Sequence, residues 1–259
     1  AAARFLVSEH VYEARFLPYA TQLIPLAACL VRLGSRVEQQ AVHARLARWY
    51  WCGVFGELYG STVETRFARD VLELPAWIDG GAEPRTVTEA NFAPERLLTL
   101  RTRGSAAYKG IYVLLLKQGA EDFLTGDPST VQTYFEDAID IHHVFPKKWC
   151  TDAGIDYRRC ESIVNKTPLR YRSNRIIGGV APSRYLDSLE RKHGADRTRI
   201  ERSLRSHFID PPSLYADDFD TAFAERSRAL LIAISGAIGK ELVSDPAQAS
   251  AGDDFDDED

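Results

Sequence analysis

The feature that most narrows what this chain can fold into is a change of hydrophobic period near Pro128. From Phe5 to about Leu124 the apolar residues recur mostly at spacings of three and four, the period of an amphipathic helix, with Gly34, Gly60, Gly80-Gly81 and Gly104 as breaks. Beyond Pro128 the run Ile139 to Val144 alternates and reads as a strand, and Ser162 to Leu169 reads as a second. Tyr171 to Ile177 returns to helical spacing and stops at Gly178-Gly179, and Pro182-Ser183 restarts the chain into a helix over Arg184 to His193. Two further helices are expected over Arg199 to Phe208 and Asp217 to Leu242, separated by Pro211-Pro212. The pattern predicts a mainly α fold: a helical domain over 1–130, a small strand-loop-strand-helix unit over 131–182, and helices over 183–244 covering the back of that unit. The polar, acidic stretch over 245–259 holds too little apolar surface to offset ordering entropy, so a disordered tail is expected there.

Within the helical half, Ser35 with Glu38 and Ser61 with Glu64 read as capping boxes before two helices. Trp49, Tyr50, Trp51, Phe55 and Tyr59 stand at helical spacing, which favours core packing over base stacking. Leu23 to Leu33 reads as a short core helix, and Ala106 to Leu116 as a buried helix leading toward the strands.

No apolar run approaches the roughly 20 residues of a membrane-spanning helix, so no membrane partner is expected. The four cysteines, Cys29, Cys52, Cys150 and Cys160, are too scattered for a disulfide framework and form no Cys-x-x-Cys pair. Buried, inert thiols in a reducing cytoplasm are the expectation. Methionine is missing even at position 1, which reads as a fragment of a longer protein. The net charge of -5 conceals an asymmetry: between Ile141 and Ser206 basic residues outnumber acidic ones roughly two to one, while Asp253 to Asp259 is acidic at every position but Phe255.

The basic stretch contains Asp140-Ile141-His142-His143-Val144-Phe145-Pro146, two histidines at the end of the first strand. Phosphodiester hydrolysis needs an activated water and a cation that stabilises charge on phosphate and leaving oxygen, and adjacent imidazoles suit the two tasks of base and ligand. About thirty residues on come Asn165-Lys166-Thr167-Pro168-Leu169 and Arg170-Tyr171-Arg172-Ser173-Asn174-Arg175. Together these runs resemble the HNH, or ββα-metal, endonuclease motif. Phe145 to Trp149, Ser162 to Leu169, Ala181 to Leu186 and the earlier Arg48-Trp49-Tyr50-Trp51 through Ser61 are similar to the C-terminal nuclease domains of GmrSD-type and SspE-type bacterial restriction proteins, so the likeness covers most of the chain.

That resemblance implies a metal-dependent DNA endonuclease of phage defence, acting on double-stranded DNA in the bacterial cytoplasm. It makes His143 the general base, His142 and Asn174 the metal ligands, and Asn165 a brace that holds the base in place by hydrogen bonds. Asp140, on the same strand face as His142, is either a further or outer ligand or a plain surface acid. One imidazole and one amide oxygen suit Mg²⁺ or Mn²⁺; the histidine that favours zinc in some relatives is replaced here by Gly178. Lys147, Lys148, Lys166, Arg170, Arg172 and Arg175 flank the motif as candidate phosphate contacts. Restriction proteins of this kind carry an N-terminal nucleotide-hydrolysing sensor whose motif is absent here, so the resemblance implies the effector half and a sensor domain as partner. The alternatives are a non-catalytic DNA-binding or protein-interaction module on the same scaffold, and regulation by the acidic tail as a DNA mimic. The oligomeric state is not legible.

Overall fold

The computed structural model describes residues 1–60, 63–128 and 139–245. The molecule is mainly helical, with one two-stranded antiparallel sheet. In the first half, α1 (Ala2–Ser8), α2 (Leu23–Leu33), α4 (Glu64–Ile78), α5 (Arg85–Glu89) and α6 (Ala106–Lys117) gather around α3 (Gln40–Phe55), whose residues from Trp49 to Phe55 are all buried. The aromatic cluster is core, as its spacing predicts: Trp49, Tyr50, Trp51, Phe55 and Tyr59 are each at most 1% exposed. Helix α6 reaches α3 through Gly110, where an added Cβ would lie 2.8 Å from Val54.

The sheet pairs β1 (Asp140–His143) with β2 (Lys166–Leu169), and His143 stands opposite Lys166, His142 opposite Thr167. Between the strands lie α7 (Lys147–Asp152) and α8 (Tyr157–Glu161). Directly after β2 comes α9 (Tyr171–Ile177), closed by Gly178 at φ +54°, a conformation that glycine adopts without strain. Then follow α10 (Pro182–Arg191), α11 (Arg197–Ser206), α12 (Pro211–Tyr215) and α13 (Phe219–Ile238).

Two hydrophobic cores result. One is centred on the first-half helices; the other gathers Val144, Phe145, Leu169, Ile177, Tyr185, Leu186 and Leu204 around the sheet. Helix α13 serves both along a single face, with Phe219 and Ala222 in the second core and Leu230, Ile234 and Ile238 in the first. The last helix therefore does not merely cover the strands, since its C-terminal half packs on α3.

Two expectations change, and others fall outside the described residues. The Ser35–Glu38 segment is a 3₁₀ turn, and α3 begins at Gln40 with no side-chain cap, because Gly34 ends α2 and the following residues make the tight link. The second strand is shorter than Ser162–Leu169: Ser162 donates its hydroxyl to Leu97 O at 2.7 Å and Ile163 N donates to Leu100 O at 2.8 Å. Those bonds tie the segment to the helical half and leave Ile163–Asn165 as a 3₁₀ turn. The cap expected at Ser61, the 130/131 boundary and nearly all of the expected acidic tail fall outside the described residues.

Candidate active site between the strands

Successive residues of a strand face opposite sides. His143 therefore shares a side of the sheet with Lys166, and His142 with Thr167. On the His143 side, the chain between the strands returns through α8 and delivers Glu161, a residue the motif reading passed over. His143 Nε2 lies 3.2 Å from Glu161 Oε2. Lys166 Nζ reaches the same oxygen at 3.0 Å and also donates to Arg101 O at 2.8 Å. Lys147 Nζ makes an ion pair with Oε1 at 3.0 Å and lies 5.9 Å from the centre of the Tyr157 ring. The His143 hydrogen bond, followed by the two ammoniums, holds the Glu161 carboxyl far below the usual carboxylate range against the opposing effect of burial. Burial lowers Lys166, while Glu161 raises Lys147.

An ionised carboxylate accepts only, so Nε2 of His143 carries the proton and Nδ1 presents its lone pair. Nδ1 is then the nitrogen able to take a proton.

Asn165 fastens the loop that follows His143. Its Oδ1 accepts from Phe145 N at 2.9 Å, and its Nδ2 donates to Phe145 O and Cys160 O, each at 2.9 Å. The side chain is buried. Tyr185 adds a hydrogen bond from its hydroxyl to Val144 O at 3.0 Å. From α13, the buried Arg226 donates to Val164 O and His207 O and has no carboxylate partner among the described residues; burial pushes its guanidinium down to about 9.

On the opposite side, Thr167 Oγ1 meets His207 Nδ1 at 2.6 Å, and His207 Nε2 meets Glu121 O at 2.8 Å. The Glu121 carbonyl can only accept, so Nε2–H donates to it and Nδ1 accepts from Thr167. His207 is fully buried, and burial pushes it down to about 3. His207 is the C-cap residue of α11, and its side chain is a core strut that fastens β2 to the segment after α6.

His142 and Asn174 are both half-buried, one on β1 and one on α9. The nearby Asp122 is committed elsewhere, accepting from Ser173 Oγ at 2.8 and 2.7 Å and from the amides of Leu124 and Thr125. In donor type His142 and Asn174 offer an imidazole nitrogen and an amide oxygen, the first borderline and the second hard. The side chain of Asp140 lies outside the described residues. A second donor set appears around His143, where one ligand atom each from His143, Cys160 and Glu161 lie within 4.8 Å of one another.

The six flanking cations separate into two groups. Lys147, Lys148, Arg172 and Arg175 are exposed. Lys166 is buried on Glu161, and Arg170 is held by Thr125 and Asp127 with its side chain 13% exposed, so these two are not displayed to solvent. Their charges are spent inside the fold, an outcome that spacing along the chain does not reveal.

Glu161 could have been flagged as the acidic residue four positions before Asn165 in an otherwise basic segment. Arg226, Cys160 and His207 carry no such signal.

Among the described residues no helix is long and apolar enough to cross a membrane. No protein-family model matches the chain, and no solved structure matches it. Among curated proteins, the chain is similar to the uncharacterized protein MJ0686 of Methanocaldococcus jannaschii, with 28% identity over 178 residues, 64% of this chain and 30% of that protein. The aligned region thus spans less than a third of the relative's length.

Proposed function

We propose that this chain is a metal-dependent endonuclease of the ββα-metal class that nicks or cleaves double-stranded DNA, the effector portion of a restriction-type protein. The observation that carries the reading is the His143–Glu161 pair. An imidazole held by an ionised carboxylate, with its other nitrogen free to accept, is the arrangement a general base requires.

In this reading His143 Nδ1 takes a proton from water as the water oxygen attacks phosphorus, and Glu161 stabilises the imidazolium that forms. Asn165 keeps the strand end rigid so that the ring does not drift from its angle of attack. His142 and Asn174 would hold Mg²⁺ or Mn²⁺, which when bound supplies charge stabilisation at the phosphate and leaving oxygen. Lys147, Lys148, Arg172 and Arg175 are the solvent-exposed cations that would meet the DNA backbone, and Arg170 and Lys166 act as struts. A nucleotide-hydrolysing sensor on the same or another chain would license the cut, and a bacterial cytoplasm is the compartment this implies.

The test is supercoiled plasmid incubated with Mg²⁺ or Mn²⁺. His143→Ala and Asn174→Ala are each expected to slow nicking by about 10²- to 10⁴-fold. Equal rates for wild type and His143→Ala would sink the assignment. Tight DNA binding with no cleavage under any divalent ion would point instead to a non-catalytic DNA-binding module.

A further inference from the structure

The donor set around His143 draws on different side chains from the His142–Asn174 pair. It comprises an imidazole, a thiol and a carboxylate, each on an atom able to bind metal and all within 4.8 Å of one another. Around a tetrahedral zinc, with bonds of about 2.0–2.3 Å, ligand atoms sit about 3.3–3.8 Å apart, so shifts of an ångström or less close the set. His143 Nε2 and Glu161 Oε2, at 3.2 Å, already stand at that spacing.

We propose that His143, Cys160 and Glu161 form an inhibitory site for a thiophilic divalent cation, Zn²⁺ in the first place, with water in the fourth position.

Charge is the obvious objection, since Lys147 and Lys166 both face Glu161. The balance nevertheless closes. The cluster now carries one carboxylate and two ammoniums, a net of +1 with a neutral thiol. On binding, the dication enters, the Cys160 thiol releases one proton to solvent, and the Lys147 ammonium swings out; the net stays at +1. Lys147 is free to move, with its side chain 63% exposed and a resting place over Tyr157. Lys166 keeps the carbonyl of Arg101. The thiol is buried and held up by that burial, so it is a poor nucleophile by itself; coordination supplies the charge that stabilises the thiolate.

Inhibition follows from the tautomer. Coordination uses the Nε2 lone pair, so the imidazole proton moves from Nε2 to Nδ1. Nδ1 then no longer accepts, and the base is disabled without any change of fold. This last step rests on the nuclease reading, whereas the metal site itself does not.

The experiment uses the whole chain. Co²⁺ is added in place of Zn²⁺ and the near-ultraviolet thiolate-to-cobalt charge-transfer band is recorded, followed by displacement with Zn²⁺ against a chromophoric chelator. One equivalent is expected to produce the band, and Cys160→Ser to abolish it. Zinc affinity in that variant should fall by at least roughly 100-fold, the upper end of the cost of losing even an outer partner of a metal ligand. Cys160→Ala serves if the serine variant misfolds. A missing band in the wild type, or a band that survives both substitutions, overturns the site. Zn²⁺ should also suppress Mg²⁺-supported nicking by the wild type and spare Cys160→Ser; equal suppression of the two overturns the inhibitory role. A chain that shows the band and never nicks DNA keeps the metal site and refutes the nuclease.

Discussion

Each half of the molecule is organised around one carboxylate, and the two are held in opposite ways. Asp70, fully buried in the helical half, accepts from Trp49 Nε1 at 3.0 Å, Thr86 Oγ1 at 2.7 Å and Tyr59 Oη. All three donors are neutral, and burial pushes its carboxyl up. Glu161 meets His143, Lys147 and Lys166, and is held far down. Neutral donors locked in a core saturate a carboxylate and leave it nothing further to do. Partners that titrate or swing, two of them reaching solvent, keep a carboxylate available to work through them. The contrast separates a structural polar centre from a chemical one without appeal to motif.

The largest way to break the comparison is Asp70→Ala. It strands three donors, at about 1–3 kcal/mol for each one left buried and unpaired, so a loss of roughly 3 kcal/mol or more is expected in urea unfolding. A loss under about 0.5 kcal/mol would remove Asp70 from its place as the organiser of the helical half.

Acid should strike the sheet half first. His207 is pushed down to about 3 against an ordinary 6.5, so between those values the unfolded chain binds the extra proton and stability falls as pH falls. At pH 5 the cost is about 2 kcal/mol relative to pH 7.5. His207→Gln, which keeps a donor and an acceptor, should lose that slope; an unchanged slope places the acid sensitivity elsewhere.

Glu161→Gln is expected to slow nicking by about tenfold, less than removal of the base itself, and to lower the melting temperature at neutral pH, because the buried Lys166 ammonium loses its carboxylate. The two carboxylates also predict opposite pH slopes. Glu161, held down, contributes stability above its ordinary value of 4.5 that is lost as pH falls below it. Asp70, pushed up, contributes stability at low pH that is lost as pH rises through its folded value, beginning near the ordinary 3.8. Acid titrations of Glu161→Gln and Asp70→Asn should therefore diverge; parallel curves would erase the distinction.

The smallest expected effect is at the surface. Lys148, paired with Asp152 one helical turn away, should contribute to DNA affinity as a phosphate contact. Lys148→Ala is expected to reduce the salt-dependence slope of binding by about 1 across all sequences. A sequence-dependent change would mean that it reads bases.

Helix α9 falls where its spacing places it, ending at Gly178, and β1 forms inside the alternating run. Local pattern suffices there, because both elements bury one face against a core their own neighbours build. The 3₁₀ turn at Ile163–Asn165 was not legible, because Ser162 and Ile163 bond to Leu97 and Leu100 from far up the chain. Asn165 was legible as a brace by resemblance, but its partners Phe145, Cys150 and Cys160, and the bond from Tyr185 to the adjacent Val144 carbonyl, were not. Lys166 and Arg170 looked like surface cations because charge along a chain says nothing about where a side chain ends.

By itself, the sequence determined the helical half, the order of strand, strand and helix, and the positions of His142, His143, Asn165 and Asn174. Periodicity and turn residues act over a few neighbours, and that information is local. Only the tertiary structure decided that Glu161 orients His143, that Cys160 joins them, that His207 is a neutral strut and that Arg226 ties α13 to the turn before Asn165. Each of those contacts closes a loop between elements, His143 and Glu161 being 18 positions apart and Arg226 and Val164 62. Packing of two cores on one shared helix chooses such partners, and nothing in the spacing along the chain encodes the choice.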